Sequence, residues 1–216
     1  MTWEYPATYT DKCGSETTLI LNDSHELTIL LREVTFAGIS FDTLKPRADS
    51  DDRLLQKFTL QRRSLCACRI TCHIPISTTD RGGDAILGVD LTLGEPTVNG
   101  GLDREDLLLT LDLDGQTYRS SGKTGWFEGE LLDLQKAMPG GNYFKACIGC
   151  AFSDYSPYGH GLFGFMVCFR SSKEEYLRVK SKDDLFDLWD KNAGCVQETF
   201  LCQEFEKRHP GTGYRG

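Results

Sequence analysis

The chain has 216 residues, enough to bury a substantial core as one unit, and its 39% hydrophobic and 26% charged residues are those of a folded protein rather than a disordered one. A formal net charge of -8, from 32 acidic against 24 basic residues with no Lys/Arg run, would repel a phosphate backbone and argues against a nucleic-acid partner. The opening residues lack a secretory signal and nothing later reaches membrane-spanning length, so the expectation is a soluble, cytoplasmic protein with no membrane contact, in which nine cysteines call for metal, chemistry or burial rather than disulfides.

Period-two alternation dominates the first 120 residues and predicts strands with one buried face. Strands are expected at 18–21, at 27–36 and at 57–76, the last broken near Arg62 and Arg63. Residues 87–93 and 107–113 alternate cleanly, with apolar odd positions and Asp90, Thr92, Thr110 and Asp112 between them. Asp114 and Gly115 tolerate positive φ, so 107–120 reads as a β-hairpin. The stretches 42–53, 77–84 and 94–106 are rich in Gly, Pro, Asp and Ser and read as loops.

Phe127, Leu131, Leu134 and Met138 recur at helical spacing and Pro139-Gly140-Gly141 ends the pattern, which predicts a short helix over 126–138. A second helix is signalled by Ser181 as N-cap with Asp184 three residues on, followed by Leu185, Leu188 and Trp189 and closed by Gly194. Between them, 142–147 reads as a strand and 162–170 as a central strand covered on both faces. The glycine-rich end, from Cys195 onward, reads as a docked irregular tail. The fold class is therefore mainly β, with β-sandwich-like antiparallel sheets and two short helices, α+β overall, as a single domain in which a Cys-containing part, 126–216, packs on a β-rich body, 1–125.

The strongest chemical signal is Cys147-Ile148-Gly149-Cys150. Structural zinc takes four thiolate or imidazole ligands, and Cys168 and Cys202 would complete a set that ties the tail to the sheet; Cys195, His160 and His209 are substitutes. The competing reading is that these are buried thiols, because free cysteine is among the most buried residue types. A second cluster, Cys66, Cys68, Cys72 and His73, dissolves under alternation, with the cysteines on a core face and His73 pointing away. Ser121-Gly122-Lys123-Thr124 imitates the end of a phosphate-binding loop but has Thr117 where the motif needs glycine. Asp112 and Asp114 suggest a calcium loop, but Thr110 and Ser121 occupy its key ligand positions. The segment 153–161 carries Asp154, Tyr155, Tyr158 and His160 between turn-forming residues, a candidate binding surface.

Cys147-x-x-Cys150, Ser153-Asp154-Tyr155-Ser156-Pro157, Cys168-Phe169-Arg170, Glu198-Thr199-Phe200-x-Cys202-x-Glu204-Phe205 and the closing Gly211-Thr212-Gly213-Tyr214-Arg215-Gly216 together resemble an uncharacterised bacterial family, a domain of unknown function. The resemblance brings no activity with it and implies only that the four cysteines belong together. Two functions follow as expectations. One is a non-enzymatic binding protein with a structural zinc and an acidic surface suited to a basic protein partner, such as an immunity-type protein. The other is a thiol- or zinc-dependent hydrolase using Cys150, Asp154 and His160.

Overall fold

The computed structural model describes residues 2–79, 84–156, 158–159 and 161–215. The fold is mainly antiparallel β with a few short helices, α+β overall.

Four strands open the chain: β1 (Trp3–Asp11), β2 (Gly14–Asn22), β3 (Leu27–Leu31) and β4 (Val34–Gly38). Next come β5 (Lys45–Pro46), a one-turn helix α1 (Asp52–Leu55), β6 (Thr59–Gln61), β7 (Ser64–Cys66), β8 (Cys68–Ser77) and β9 (Asp84–Leu93). The hairpin of β10 (Glu105–Leu113) and β11 (Gln116–Arg119) then leads into α2 (Phe127–Ala137). Nine strands form one antiparallel sheet in the order β11-β10-β9-β8-β1-β2-β3-β4-β5, in which β1 joins the two halves by pairing with both β2 and β8. The β6-β7 hairpin is a small sheet of its own.

Alternation holds along these strands because every second residue enters the core: Tyr5, Ala7 and Tyr9 of β1, Ile70, Cys72 and Ile74 of β8, and Leu107, Leu109 and Leu111 of β10. Cys68 and Cys72 of β8 are buried and His73 is exposed, as alternation requires; Cys66 is buried too, but at the end of β7 in the β6-β7 sheet rather than on the same strand. The buried face of α2, Phe127, Leu131 and Leu134, closes on β10 and β11.

Several expected elements differ. Residues 27–36 are two strands, because Arg32 and Glu33 take positive φ (47° and 71°) and turn the chain back. The Arg32 guanidinium forks onto Asp11 at 2.7 and 2.8 Å and lies against the Tyr9 and Phe58 rings, and these contacts hold an unfavourable backbone. The break at Arg62 and Arg63 has the same geometry (50° and 70°), and a second break at Ala67 separates β7 from β8. The stretch 42–53 holds β5 and the start of α1, and β1 was not signalled at all. Residues 142–147 are not a strand: Phe144 makes one isolated bridge to Thr78 and the chain then enters a 3-10 turn at Cys147–Gly149.

The C-terminal part carries a second, three-stranded sheet of β12 (Ser153–Tyr155), β13 (Met166–Cys168) and β14 (Cys195–Val196). The expected central strand over 162–170 shrinks to β13, which is central and fully buried. Two helices, α3 (Lys173–Tyr176) and α4 (Lys182–Asp187), follow; α4 starts at Ser181 in a capping box with Asp184. Phe152, Val167, Phe169, Tyr176, Val179 and Leu185 pack as a separate cluster, in which the Phe169 and Tyr176 rings stack at 4.8 Å. This part is tied to the main sheet by a buried reciprocal amide pair, Asn22 with Gln197 at 2.6 and 2.8 Å, to which the Tyr5 hydroxyl is joined.

Candidate functional site

The four cysteines of the sequence pattern sit where the 3-10 turn, β13 and the tail meet. Cys147, Cys150 and Cys168 are buried and Cys202 is half-buried. The turn is positioned by Cys147 N-H donating to Phe200 O at 2.8 Å and Ile148 N-H to Glu198 O at 3.0 Å, so the segment carrying Cys202 runs alongside the C-x-x-C. Gly149 is required there, since a Cβ would stand 2.1 Å from Phe144 O.

The thiols sense one another. Cys147 is pushed well above its ordinary range, first by burial and then by Cys150, Cys168, Cys202 and Glu198. Burial also raises Cys168, opposed by the Arg170 backbone N-H and guanidinium and reinforced by Cys150 and Cys202. The Phe152 N-H donates to Cys150 Sγ at 3.5 Å, so Cys150 and Cys168 each receive a backbone N-H from the residue two positions on. As the side chains stand, no group of three or more His, Cys, Asp or Glu among the described residues is close enough to hold a metal ion, so coordination requires the sulfurs to close in. Cys195 and His209 are exposed, and His160 lies outside the described residues.

The residues of the 153–161 segment separate. Asp154 belongs to β12 and is fully buried, accepting from the Tyr176 hydroxyl at 2.7 Å and the Tyr155 N-H at 2.8 Å. Tyr155 is half-buried under the Arg215 guanidinium, 5.0 Å from its ring centroid. Tyr158 is exposed and packs edge-on against Phe186 and Trp189.

Beneath this segment lies a polar core that the sequence did not signal. The Arg208 guanidinium donates to the carbonyls of Cys150 (3.2 Å), Ser153 and Thr212 and to the Tyr176 hydroxyl (3.0 Å), pinning the tail over β12. Arg215 donates to Ile148 O at 2.8 Å. Two fully buried carboxyls, Glu128 of α2 and Glu198 of the tail, are both pushed above the ordinary carboxyl range by burial, Glu128 also by the charge of Glu198. Glu198 accepts from the Gly164 and Phe165 N-H groups at 2.7 and 3.1 Å.

The phosphate-loop imitation is excluded by what its amides bind. Ser121 N-H donates to Asp133 at 2.7 Å, and Gly122 and Thr124 N-H both donate to Glu130 at 2.7 Å, so α2 carboxylates occupy the donors that a phosphate would need.

No curated protein and no solved structure matches the chain. A family model matches residues 3–153, from the first strand through the C-x-x-C to the start of β12, leaving Cys168 and Cys202 beyond the matched span. The chain belongs to the family of unknown function DUF6304.

Proposed function

We propose that the protein is a non-enzymatic binding protein whose C-terminal part is stapled by a structural zinc ion held by Cys147, Cys150, Cys168 and Cys202. The observation that carries this reading is geometric: the Cys147 and Ile148 N-H groups donate to Phe200 and Glu198 O, which lays the Cys202 segment beside the C-x-x-C, and Cys168 pairs with Ser153 just beyond Cys150. Four sulfurs suit a closed tetrahedral zinc, and the backbone N-H groups aimed at Cys150 and Cys168 are the kind of outer support that thiolate ligands use. Without a cation, burial favours the protonated form of Cys147 and Cys168; a divalent ion offsets that and releases the protons. A site with four protein sulfurs has no open position for substrate, which favours structure over hydrolysis. The hydrolase alternative gains little support, because Cys150 is buried and the Asp154 carboxylate is turned inward onto Tyr176. An overall acidic chain with nine free thiols suits a reducing compartment and a basic protein partner, as an immunity-type protein would have. Metal analysis combined with alkylation near neutral pH tests the reading: one zinc per chain with protected thiols is expected, and one fast-reacting cysteine in a metal-free protein would favour the hydrolase instead.

A further inference from the structure

A cavity of about 250 Å³ lies between α2, the Cys147–Gly149 turn and the tail. Its walls are mostly apolar, built from Leu132, Tyr143, Ile148 and Pro210, yet Lys207, Arg208 and Arg215 also line it and, among the described residues, no carboxylate does. In a chain of net charge -8, three cations around one apolar cavity is a marked segregation of charge.

Those cations are hydrogen-bonded by neutral groups. Arg208 is committed to backbone carbonyls and the Tyr176 hydroxyl. Arg215 gives one nitrogen to Ile148 O, while its Nε is buried without a hydrogen-bond partner. Lys207 Nζ rests 4.0 Å from the Tyr143 ring centroid. Among the described residues none of the three forms an ion pair. The acids that act on Arg215 are Asp154, whose oxygens also accept from the Tyr176 hydroxyl and the Tyr155 N-H, and Glu128, which burial pushes above the ordinary carboxyl range. Lys207 is exposed and Arg215 is buried beside Asp154 and Glu128, but the walls of the cavity carry only cations, so an anion in it gains favourable charge pairing.

We propose that this cavity binds a small organic anion, a carboxylate carried on an apolar or aromatic body. The carboxylate pairs with Lys207 in the field of Arg208 and Arg215, and the body lies on Leu132, Ile148 and Tyr143. Its volume sets the ligand at the small end of what protein pockets hold. The proposal does not depend on zinc.

Calorimetric titration of the full chain with phenylacetate, 2-phenylethanol and inorganic phosphate tests it. Phenylacetate is expected to bind one-to-one and at least about tenfold more tightly than either the neutral alcohol or the bare anion. Lys207 is exposed, so Lys207→Met leaves the fold intact and is expected to weaken phenylacetate about tenfold. Leu132→Trp, which fills the cavity from the half-buried flank of α2, is expected to abolish binding. Equal affinity for acid and alcohol, equal affinity for acid and phosphate, indifference to both substitutions, or no saturable binding up to about 10 mM each overturn the proposal.

Discussion

Replacing Glu130 by glutamine keeps the shape of the side chain and removes its charge. The wild-type carboxylate is fully buried and accepts three hydrogen bonds, from Gly122 N-H and Thr124 N-H at 2.7 Å and the Thr124 hydroxyl at 2.6 Å. Glutamine offers a single acceptor oxygen and turns an NH2 group toward an N-H donor, so at least one of these bonds is lost. A hydrogen bond to a charged group contributes about 1.5–3 kcal/mol, and a buried donor left unmatched adds to the cost, so Glu130→Gln is expected to lower the unfolding free energy by about 3 kcal/mol near pH 7. The pH dependence carries a definite sign. Burial pushes the Glu130 carboxyl up, but bonds from Ser120, Thr124 and Gly122 together outweigh it and hold the group below its ordinary 4.5. The stabilisation is therefore fully present above that value and is lost as pH falls through the lower native-state value. Urea unfolding followed by circular dichroism at neutral pH and down the acid limb should show the wild-type and variant curves converging in acid. A deficit under about 1 kcal/mol at neutral pH, or one that stays constant in acid, refutes the reasoning.

Gly213 takes φ +65° and a Cβ there would stand 2.3 Å from the Tyr176 hydroxyl oxygen, so Gly213→Ala combines backbone strain of about 1 kcal/mol with overpacking of about 1–3 kcal/mol. Gly125 has a similar φ of +70° but open space around it, so Gly125→Ala should cost only about 1 kcal/mol in the same denaturation series; equal losses would contradict the close approach to Tyr176. The raised pair Glu128 and Glu198 works in the opposite sense to Glu130: above the ordinary 4.5 the native state keeps protons that the unfolded state has released, so stability falls as pH rises toward the native-state values. Thermal melts from pH 5 to 8 should show that fall flattened in Glu128→Gln/Glu198→Gln, and an unchanged slope would remove the pair from the account. Cys168→Ser is expected to abolish zinc retention and loosen the tail, read as faster proteolysis after residue 195 with the body intact; wild-type metal content would contradict the ligand assignment.

What the sequence made legible follows from which forces act locally. Asp114 and Gly115 announced their hairpin because both tolerate positive φ, and both adopt it, at 52° and 76°. The break expected near Arg62 and Arg63 is present, whereas Arg32-Glu33 turns the chain the same way without a local signal, since its backbone is held by distant partners, Asp11 and Phe58. Strand β1 escaped notice because its buried residues, Tyr5, Ala7 and Tyr9, are two phenols and a small side chain, a faint stripe beside Leu107, Leu109 and Leu111. Apolar runs misled at 142–147 and at 162–165, where Phe144, Ala146, Leu162 and Phe163 are buried from turns rather than strands. The proposed grouping of Cys147, Cys150, Cys168 and Cys202 rests on the C-x-x-C and on setting Cys66, Cys68 and Cys72 aside as core thiols; as the side chains stand, no three ligand residues among those described are close enough to hold a metal. Glu128, Glu198, Arg208 and Arg215 were not, because a charged residue that tertiary packing buries has the same local pattern as one on the surface.

Zinc-edge X-ray absorption on protein purified without added metal addresses the central claim most directly. One zinc per chain with four sulfur neighbours at about 2.3 Å and no nitrogen or oxygen shell is expected, a spectrum that Cys150→Ser changes. A metal-free protein whose four thiols alkylate freely while its fold and tail remain intact would contradict it.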